Sequence, residues 1–248
     1  MPEGAYRDLR HLVSVRNQYA REVASSKYRI KALLLFEGLA FPDAPASSQW
    51  SSRVIAALRE LACSAAVRFK LDCLLDSLRF AREQRIRAHK QIRRLLKEEV
   101  DLADSVRYLR SVPGVGWVIA YNVLARVGDW RGLRNVREIG AFFGLVPVEH
   151  STGDRTDRGN ITRAGDARVR SMLIEGAWSA IRKDEALRAF FRRVASRHPK
   201  DRAAKVAIVA VARKMTHRMF AVLTERREYV LNPQAEPKTE AQGEGQTS

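Results

Sequence analysis

Residues 144–170 form a basic segment in which hydroxyl side chains stand among arginines. Its run His-Ser-Thr-Gly contains Ser151 and Thr152, and five arginines follow: Arg155, Arg158, Arg163, Arg168 and Arg170. A serine that attacks a phosphodiester needs cationic donors nearby, because negative charge builds on the phosphate oxygens during displacement. Arginine suits this role because its guanidinium stays charged and presents a fork of donors. A covalent phosphoserine would split strand exchange into two steps.

Two interpretations of this segment stay open from its residue types. One is nucleophilic chemistry, with His150 as a candidate base, although neighbouring side chains in an extended segment point apart. The other is a segment that binds a DNA or RNA backbone without catalysing a reaction. Residue types alone favour this second interpretation, since a serine in a basic loop is not a specific signal. We expect a polar loop here, followed by a helix that Asp166 caps.

A second candidate site is the run Val-Pro-Gly-Val-Gly-Trp at residues 112–117, which an apolar helix follows. Its glycines allow a sharp turn and a close approach of the backbone to another molecule. The amides and the dipole at the start of the helix favour an anion. A helix-hairpin-helix element holds a DNA backbone in this way, without reading sequence. We therefore predict DNA-backbone contacts at Gly114, Val115, Gly116 and Trp117. The alternative is an ordinary turn whose glycines permit close packing.

The overall charge favours a polyanionic partner. The 248 residues include 45 Lys and Arg against 28 Asp and Glu, a formal net charge of +17. Nucleic acid is the first candidate partner and an anionic membrane surface the second. The apolar stretch from Ile30 to Phe41 is interrupted by charge and is too short to span a bilayer. We read Cys63 and Cys73 as buried thiols of a cytoplasmic protein and expect neither a membrane partner nor a metal site.

The spacing of apolar residues predicts a mostly α fold with no convincing strand. We expect a helix over residues 5–36 and a long helical stretch over 51–108, whose seam is typical of a coiled coil or a helical hairpin. Glycine-rich residues 111–166 predict short helices and turns, and long helical patterns return afterwards. These changes divide the chain into a helical connecting region (1–108), a compact helical domain (109–228) and a disordered tail (229–248).

Several motifs resemble the C-terminal transposase domain of bacterial insertion-sequence transposases of the IS116/IS110/IS902 type. The matching motifs are Val-Pro-Gly-Val-Gly (112–116), Gly-Leu-Val-Pro (144–147), His-Ser-Thr-Gly (150–153), Arg-Gly-Asn-Ile-Thr-Arg-Ala-Gly-Asp (158–166) and Arg-Ser-Met-Leu-Ile-Glu-Gly-Ala-Trp (170–178). Their order and spacing both fit. The preceding helices resemble the connecting coiled-coil region of that family.

The resemblance implies a recombinase component that cuts and rejoins DNA through a nucleophilic serine. It places that serine in the His-Ser-Thr-Gly motif, and we assign the role to Ser151, with Thr152 as the alternative position. It also implies a homo-oligomer and, in some members, a structured guide RNA. The family's RuvC-like DEDD domain, which binds Mg²⁺, has no counterpart before Tyr108, so we expect a chain without it. A truncated transposase that only binds DNA or RNA is the alternative function.

Overall fold

A computed structural model describes residues 4–45, 49–132, 135–152, 155–162 and 164–231. The chain forms two compact units. Unit 1 comprises Met1–Ala103 with Leu124–Gly128, and unit 2 comprises Asp104–Val123 with Asp129–Ser248. The prediction of a mostly α fold is confirmed. The predicted disordered tail lies mainly outside the described residues, which end at Leu231.

Nine α-helices and one two-stranded ribbon are found in the described ranges. In chain order they are α1 (Ala5–Phe36), α2 (Ser52–Glu60), α3 (Ala65–Glu98), α4 (Val100–Ser111), α5 (Trp117–Val127), a 3-10 turn (Trp130–Gly132), α6 (Val136–Phe142), β1 (Pro147–Thr152), β2 (Arg155–Ile161), α7 (Ala167–Lys183), α8 (Glu185–Ala195) and α9 (Lys200–Thr224).

Unit 1 is built on an antiparallel pair of long helices, α1 and α3. The predicted helix over 5–36 is confirmed, and it ends in a Schellman turn, in which the Leu39 N–H donates to the Leu34 carbonyl (2.8 Å) beside Gly38 at φ 65°. Leucines and other apolar side chains fill the seam, among them Leu33, Leu34, Leu71, Leu75 and Leu78. Apolar burial along this seam holds the pair together.

The helical stretch predicted over residues 51–108 is divided into three helices. Between α2 and α3, Ser64 caps the new helix by accepting the Val67 N–H (3.4 Å). Arg68 reaches back and donates to the Leu58 carbonyl (2.9 Å) and to the Leu61 carbonyl. These contacts satisfy carbonyl groups at the end of α2, so the break needs neither glycine nor proline.

Helix α9 forms the centre of unit 2 and contacts α6, α7 and α8. Its buried residues include Ala207, Ile208, Val211, Ala212, Met215, Thr216 and Met219. Small residues on α7, namely Gly176, Ala177 and Ala180, are also buried and let neighbouring backbones approach closely. This packing fixes α7, which carries the last of the sequence motifs, residues 170–178.

Two expectations from the sequence are wrong. The segment expected to be a polar loop without strands is an antiparallel ribbon of β1 and β2. Polar residues occupy nine of the thirteen positions of the two strands, and the apolar ones lie near the ribbon base, so the alternation of apolar and polar residues that marks a half-buried strand is missing. The two thiols are not buried either: Cys63, between α2 and α3, is half-buried, and Cys73 is exposed on α3.

Candidate nucleic-acid interface

The turn between α4 and α5 places its two glycines in different surroundings. Gly114 has φ 86°, and an added Cβ there would overlap the Gly176 carbonyl oxygen and lie 2.9 Å from the Cβ of Ala180. Gly116 is exposed, and an added Cβ there would meet no atom within 4 Å. Gly114 therefore serves close packing on α7, the role left open as the alternative, whereas the backbone of Gly116 is accessible.

The accessible side of this turn carries a stacked cation. The guanidinium of Arg110, at the end of α4, lies 3.8 Å from the ring centroid of Trp117, the first residue of α5. Val115 is buried, with 5% of its surface exposed, and anchors the turn between them. Sequence analysis missed Arg110. Its position seven residues before Trp117, across a predicted turn between helices, was the signal that could have identified it.

Residues after α9 hold the end of α4 in place. The backbone N–H of Tyr229 donates to the Ser111 hydroxyl (2.7 Å), and Glu228 pairs with Arg107 (3.7 Å). The Arg218 guanidinium lies 4.7 Å from the Tyr229 ring centroid. Burial raises the pKa of the Tyr229 hydroxyl above its ordinary value of 10.0, and Asp184 adds to the rise against the opposing charge of Arg218.

The ribbon of β1 and β2 brings the candidate nucleophile opposite the following strand. Ser151 pairs with Thr156, Thr152 with Arg155, and Glu149 with Arg158. Two of the predicted phosphate-binding arginines, Arg155 and Arg158, are thereby placed on the strand next to the serine. Residues 153–154, which join the strands, and the predicted phosphate ligand Arg163 lie outside the described residues.

The ribbon closes at its base, and a cap begins α7 a few residues later. The Thr162 N–H donates to the Val146 carbonyl (2.9 Å). Asp166 caps α7 by accepting the N–H groups of Arg168 (2.9 Å) and Val169 (3.2 Å), which confirms its predicted role as N-cap. This cap fixes the direction in which α7 leaves the ribbon.

Arg170, in the first turn of α7, has a structural role at the base of the ribbon. Its guanidinium donates to the carbonyl oxygens of Phe143 and Ala164, each at 3.3 Å. Gly165, at φ 80°, lies so close to the Phe142 carbonyl that any side chain would clash with it. The structure therefore shows Arg170 bracing the ribbon base, whereas its predicted contact with phosphate stays a prediction.

Two features of the described residues bear on other classes of function. No three His, Cys, Asp or Glu side chains in the described ranges come together as metal ligands. No helix in the described part of the chain is long and apolar enough to cross a membrane.

Comparison with known proteins identifies the segment that carries both candidate sites. Residues 106–192, about a third of the chain, match the family model described as "Transposase IS116/IS110/IS902 family". The resemblance to this transposase family is confirmed for that segment. The assignment of the chain as the C-terminal part of a longer transposase stays a prediction.

Curated relatives have names that agree with this match. The chain is 36% identical over 123 residues to the "Probable family 20 transposase" of Pseudomonas aeruginosa, an alignment that covers 48% of this chain and 35% of the relative. It is 26% identical over 226 residues to the "Transposase for insertion sequence element IS1111A" of Coxiella burnetii, covering 90% of this chain and 60% of the relative. It is also 24% identical over 155 residues to the "Pilin gene-inverting protein" of Moraxella bovis, covering 62% and 48%. The alignments thus span 60% or less of the length of these relatives.

Proposed function

We propose that this chain is a DNA-binding component of an insertion-sequence transposase and that Ser151 is its nucleophile for strand cleavage and rejoining. The observation that carries the proposal is the position of the family match. Residues 106–192 include both the glycine turn and the serine-bearing ribbon. The relatives' names, which refer to transposition and to gene inversion, fit a protein that rearranges DNA.

The glycine turn is proposed to bind the DNA backbone. The accessible backbone at Gly116 opens a helix of 11 residues, and such a helix start favours an anion. Arg110, stacked on Trp117, adds a cation next to this position. These contacts are independent of base sequence, because they involve only the phosphate groups.

The proposed chemistry at the ribbon is a displacement at phosphorus. The Ser151 Oγ forms a bond to the phosphorus of a DNA phosphodiester, and the bond from phosphorus to one sugar oxygen breaks. That sugar leaves as a free hydroxyl, taking up a proton to replace the one that the serine released. The reverse attack of a strand hydroxyl on the phosphoserine rejoins DNA and frees the serine. Arg155, Arg158 and Arg163 are proposed to stabilise the charge on the phosphate.

Three further elements of the proposal concern partners. The long helical pair of unit 1 is proposed to support a homo-oligomer, and a structured guide RNA is a candidate second nucleic acid. The Mg²⁺ expected from the family belongs to its RuvC-like domain.

A trapping assay tests the proposed nucleophile. End-labelled insertion-sequence junction DNA is incubated with the protein, with and without a separately supplied RuvC-like domain and candidate RNA, and analysed by denaturing electrophoresis. We expect a covalent protein–DNA band that Ser151→Ala abolishes and the matched variant Thr152→Ala retains. Both variants should bind DNA with nearly unchanged affinity, and binding should fall steeply with salt.

Each outcome has a definite meaning. A covalent band that persists in Ser151→Ala would refute Ser151 as the nucleophile, and loss of the band only in Thr152→Ala would move the role to the neighbouring position. Binding without any covalent band would assign this chain the non-catalytic role of a DNA- or RNA-binding protein. Failure to bind junction DNA at low salt would overturn the proposed function itself.

A further inference from the structure

A cleft outside the serine ribbon and the glycine turn lies in unit 2, between the last turn of α7 and α8. It has a volume of about 440 Å³ and is lined by Ile181, Arg182, Arg188, Phe191 and Arg192. It is a shallow depression that is open to solvent along the surface. The lining combines guanidinium groups with an aromatic ring, so its chemistry suits an anion that carries a flat apolar part.

Arg188 forms the fixed wall of this cleft. Its Nε donates to the Ile181 carbonyl (3.0 Å) and its Nη2 to the Arg182 carbonyl (3.0 Å), which satisfies two acceptors at the end of α7. Its Nη1 pairs with Glu185 (2.6 Å). With its donors used in this way, Arg188 braces the junction of the two helices and keeps the cleft in shape.

An exposed aromatic side chain stands beside the cleft. Trp178 ends a motif of the family resemblance, and 37% of its surface is exposed, although tryptophan is highly buried on average. Its ring packs against Phe191 of the cleft lining, with centroids 5.8 Å apart and planes inclined by 58°. Phe191 thereby supports the indole from one side. Trp178 also precedes Arg182 by one helical turn, so both lie on one face of α7.

The surface around the cleft is strongly basic. Residues 182–200 contain seven Lys and Arg against two acidic residues. Asp184 is buried and paired with Arg218 (2.5 Å), and Glu185 is paired with Arg188, so neither carboxylate offsets the exposed cations. Among the residues that the structure describes, Arg182 and Arg192 are exposed and are not paired with a carboxylate.

We propose that this cleft binds unpaired nucleotides of a single-stranded nucleic acid. A base stacks on Trp178, and the flanking phosphates contact Arg182 and Arg192. The inference rests on the proposed function, because it adds a second nucleic-acid contact to the same protein. An indole supported by a second ring stacks on a base only when that base is out of a duplex, and stacking together with basic side chains is typical of single-strand binding. An acidic peptide would use the arginines but gain little from Trp178.

Binding of labelled oligonucleotides to the full chain tests the proposal. Fluorescence anisotropy is measured with oligothymidylate and oligouridylate of roughly 16 nucleotides and with a DNA duplex of the same length. Trp178→Ala should weaken single-strand binding about 5- to 150-fold, since stacking of one base on an aromatic ring contributes about 1–3 kcal/mol. Trp178→Phe should retain most of the affinity, and duplex binding should not change.

The charged part of the site is tested on its own. The double variant Arg182→Gln with Arg192→Gln should reduce the slope of log affinity against log salt by about 1.4 for single strands, or ~0.7 for each phosphate that is no longer neutralised. Arg182 and Arg192 are exposed, so the double variant should fold. It therefore tests the proposal even if Trp178→Ala does not fold. Phe69→Ala, which removes an aromatic ring 73% exposed on α3, is the matched control for the removal of a surface aromatic.

The outcomes separate this inference from the proposed function. The inference is overturned if Trp178→Ala binds single strands as tightly as the parent protein, or if it loses as much affinity for the duplex as for single strands. Binding of the duplex by the parent protein would still support the proposed function. Poly-glutamate binding as tightly as oligothymidylate, with the same dependence on Trp178, would assign the cleft to an acidic peptide. Whichever of the two oligonucleotides binds more tightly identifies DNA or RNA as the source of the strand. Loss of all nucleic-acid binding by the parent protein would refute both proposals.

Discussion

Alanine at Gly114 is expected to destabilise unit 2 by about 2–5 kcal/mol, whereas alanine at Gly116 in the same turn should change stability by less than about 1 kcal/mol. At Gly114, a side chain at φ 86° costs about 1–2 kcal/mol. Its Cβ would also overlap the Gly176 carbonyl oxygen, and such overpacking costs about 1–3 kcal/mol. At Gly116 the added Cβ meets nothing within 4 Å. A weaker helix cap there is offset by the lower entropy of the unfolded chain.

Urea unfolding followed by tryptophan fluorescence measures this difference. Three of the four tryptophans, Trp117, Trp130 and Trp178, belong to unit 2, so the signal reports mainly on that unit. With a slope near 2 kcal/mol/M, the midpoint for Gly114→Ala should fall by about 1–2.5 M. Equal midpoints for the two alanine variants would refute the packing role of Gly114. Among folded variants, Gly116→Ala should weaken DNA binding more than Gly114→Ala does, because only Gly116→Ala alters the accessible backbone.

Two further predictions concern ionisable groups of unit 2. Asp184→Ala should lower the free energy of unfolding by about 3–5 kcal/mol, because it leaves the Arg218 side chain, only 14% exposed, without its ion-pair partner. It also removes the helix cap that accepts the Leu187 N–H at 2.8 Å. A decrease below about 1 kcal/mol in urea unfolding would contradict this prediction. Burial and the nearby Arg213 and Lys214 lower the pKa of His217 from its ordinary 6.5, so the unfolded state binds the proton more readily. The contribution of neutral His217 to stability is therefore full above about pH 6.5 and is lost as pH falls through the lowered native pKa. His217→Gln should flatten the dependence of Tm on pH in this range, with the exposed His198→Gln as control, and an unchanged dependence would count against the assignment.

The elements that could be predicted from the sequence are those whose signal is local. Helix α1 was predictable because apolar residues recur at helical spacing and Gly38 supplies its end. The cap at Asp166 and the turn at residues 112–116 were predictable because both depend on residue types within one helical turn. The match of residues 106–192 to a transposase family likewise follows motifs that can be read directly.

The features that could not be predicted depend on distant partners. The two glycines of the turn look alike in sequence, and only α7, some 60 residues further along, makes Gly114 a packing position. The ribbon of β1 and β2 is stabilised by backbone pairing in which all but one of the paired positions are polar, so it has no alternating apolar pattern to reveal it. The break after α2 depends on Arg68 reaching back to carbonyls of the preceding helix. In each case the cause is one tertiary interaction.

Helix α7 connects all three candidate contacts of unit 2. Arg170 in its first turn holds the ribbon base, and Gly176 meets the glycine turn. Arg182 lines the cleft, and Trp178 packs on its lining residue Phe191. At 1.5 Å per residue, Arg170 and Gly176 are about 9 Å apart along the helix axis, and Arg170 and Arg182 about 18 Å. Because α7 is packed on α9 along its buried face, the turn, the ribbon base and the cleft are all attached to one well-packed helix. A substitution that bends α7, such as proline at Ser179, should therefore impair strand cleavage more than an equally destabilising change in α1, and equal impairment would show that α7 acts only through stability.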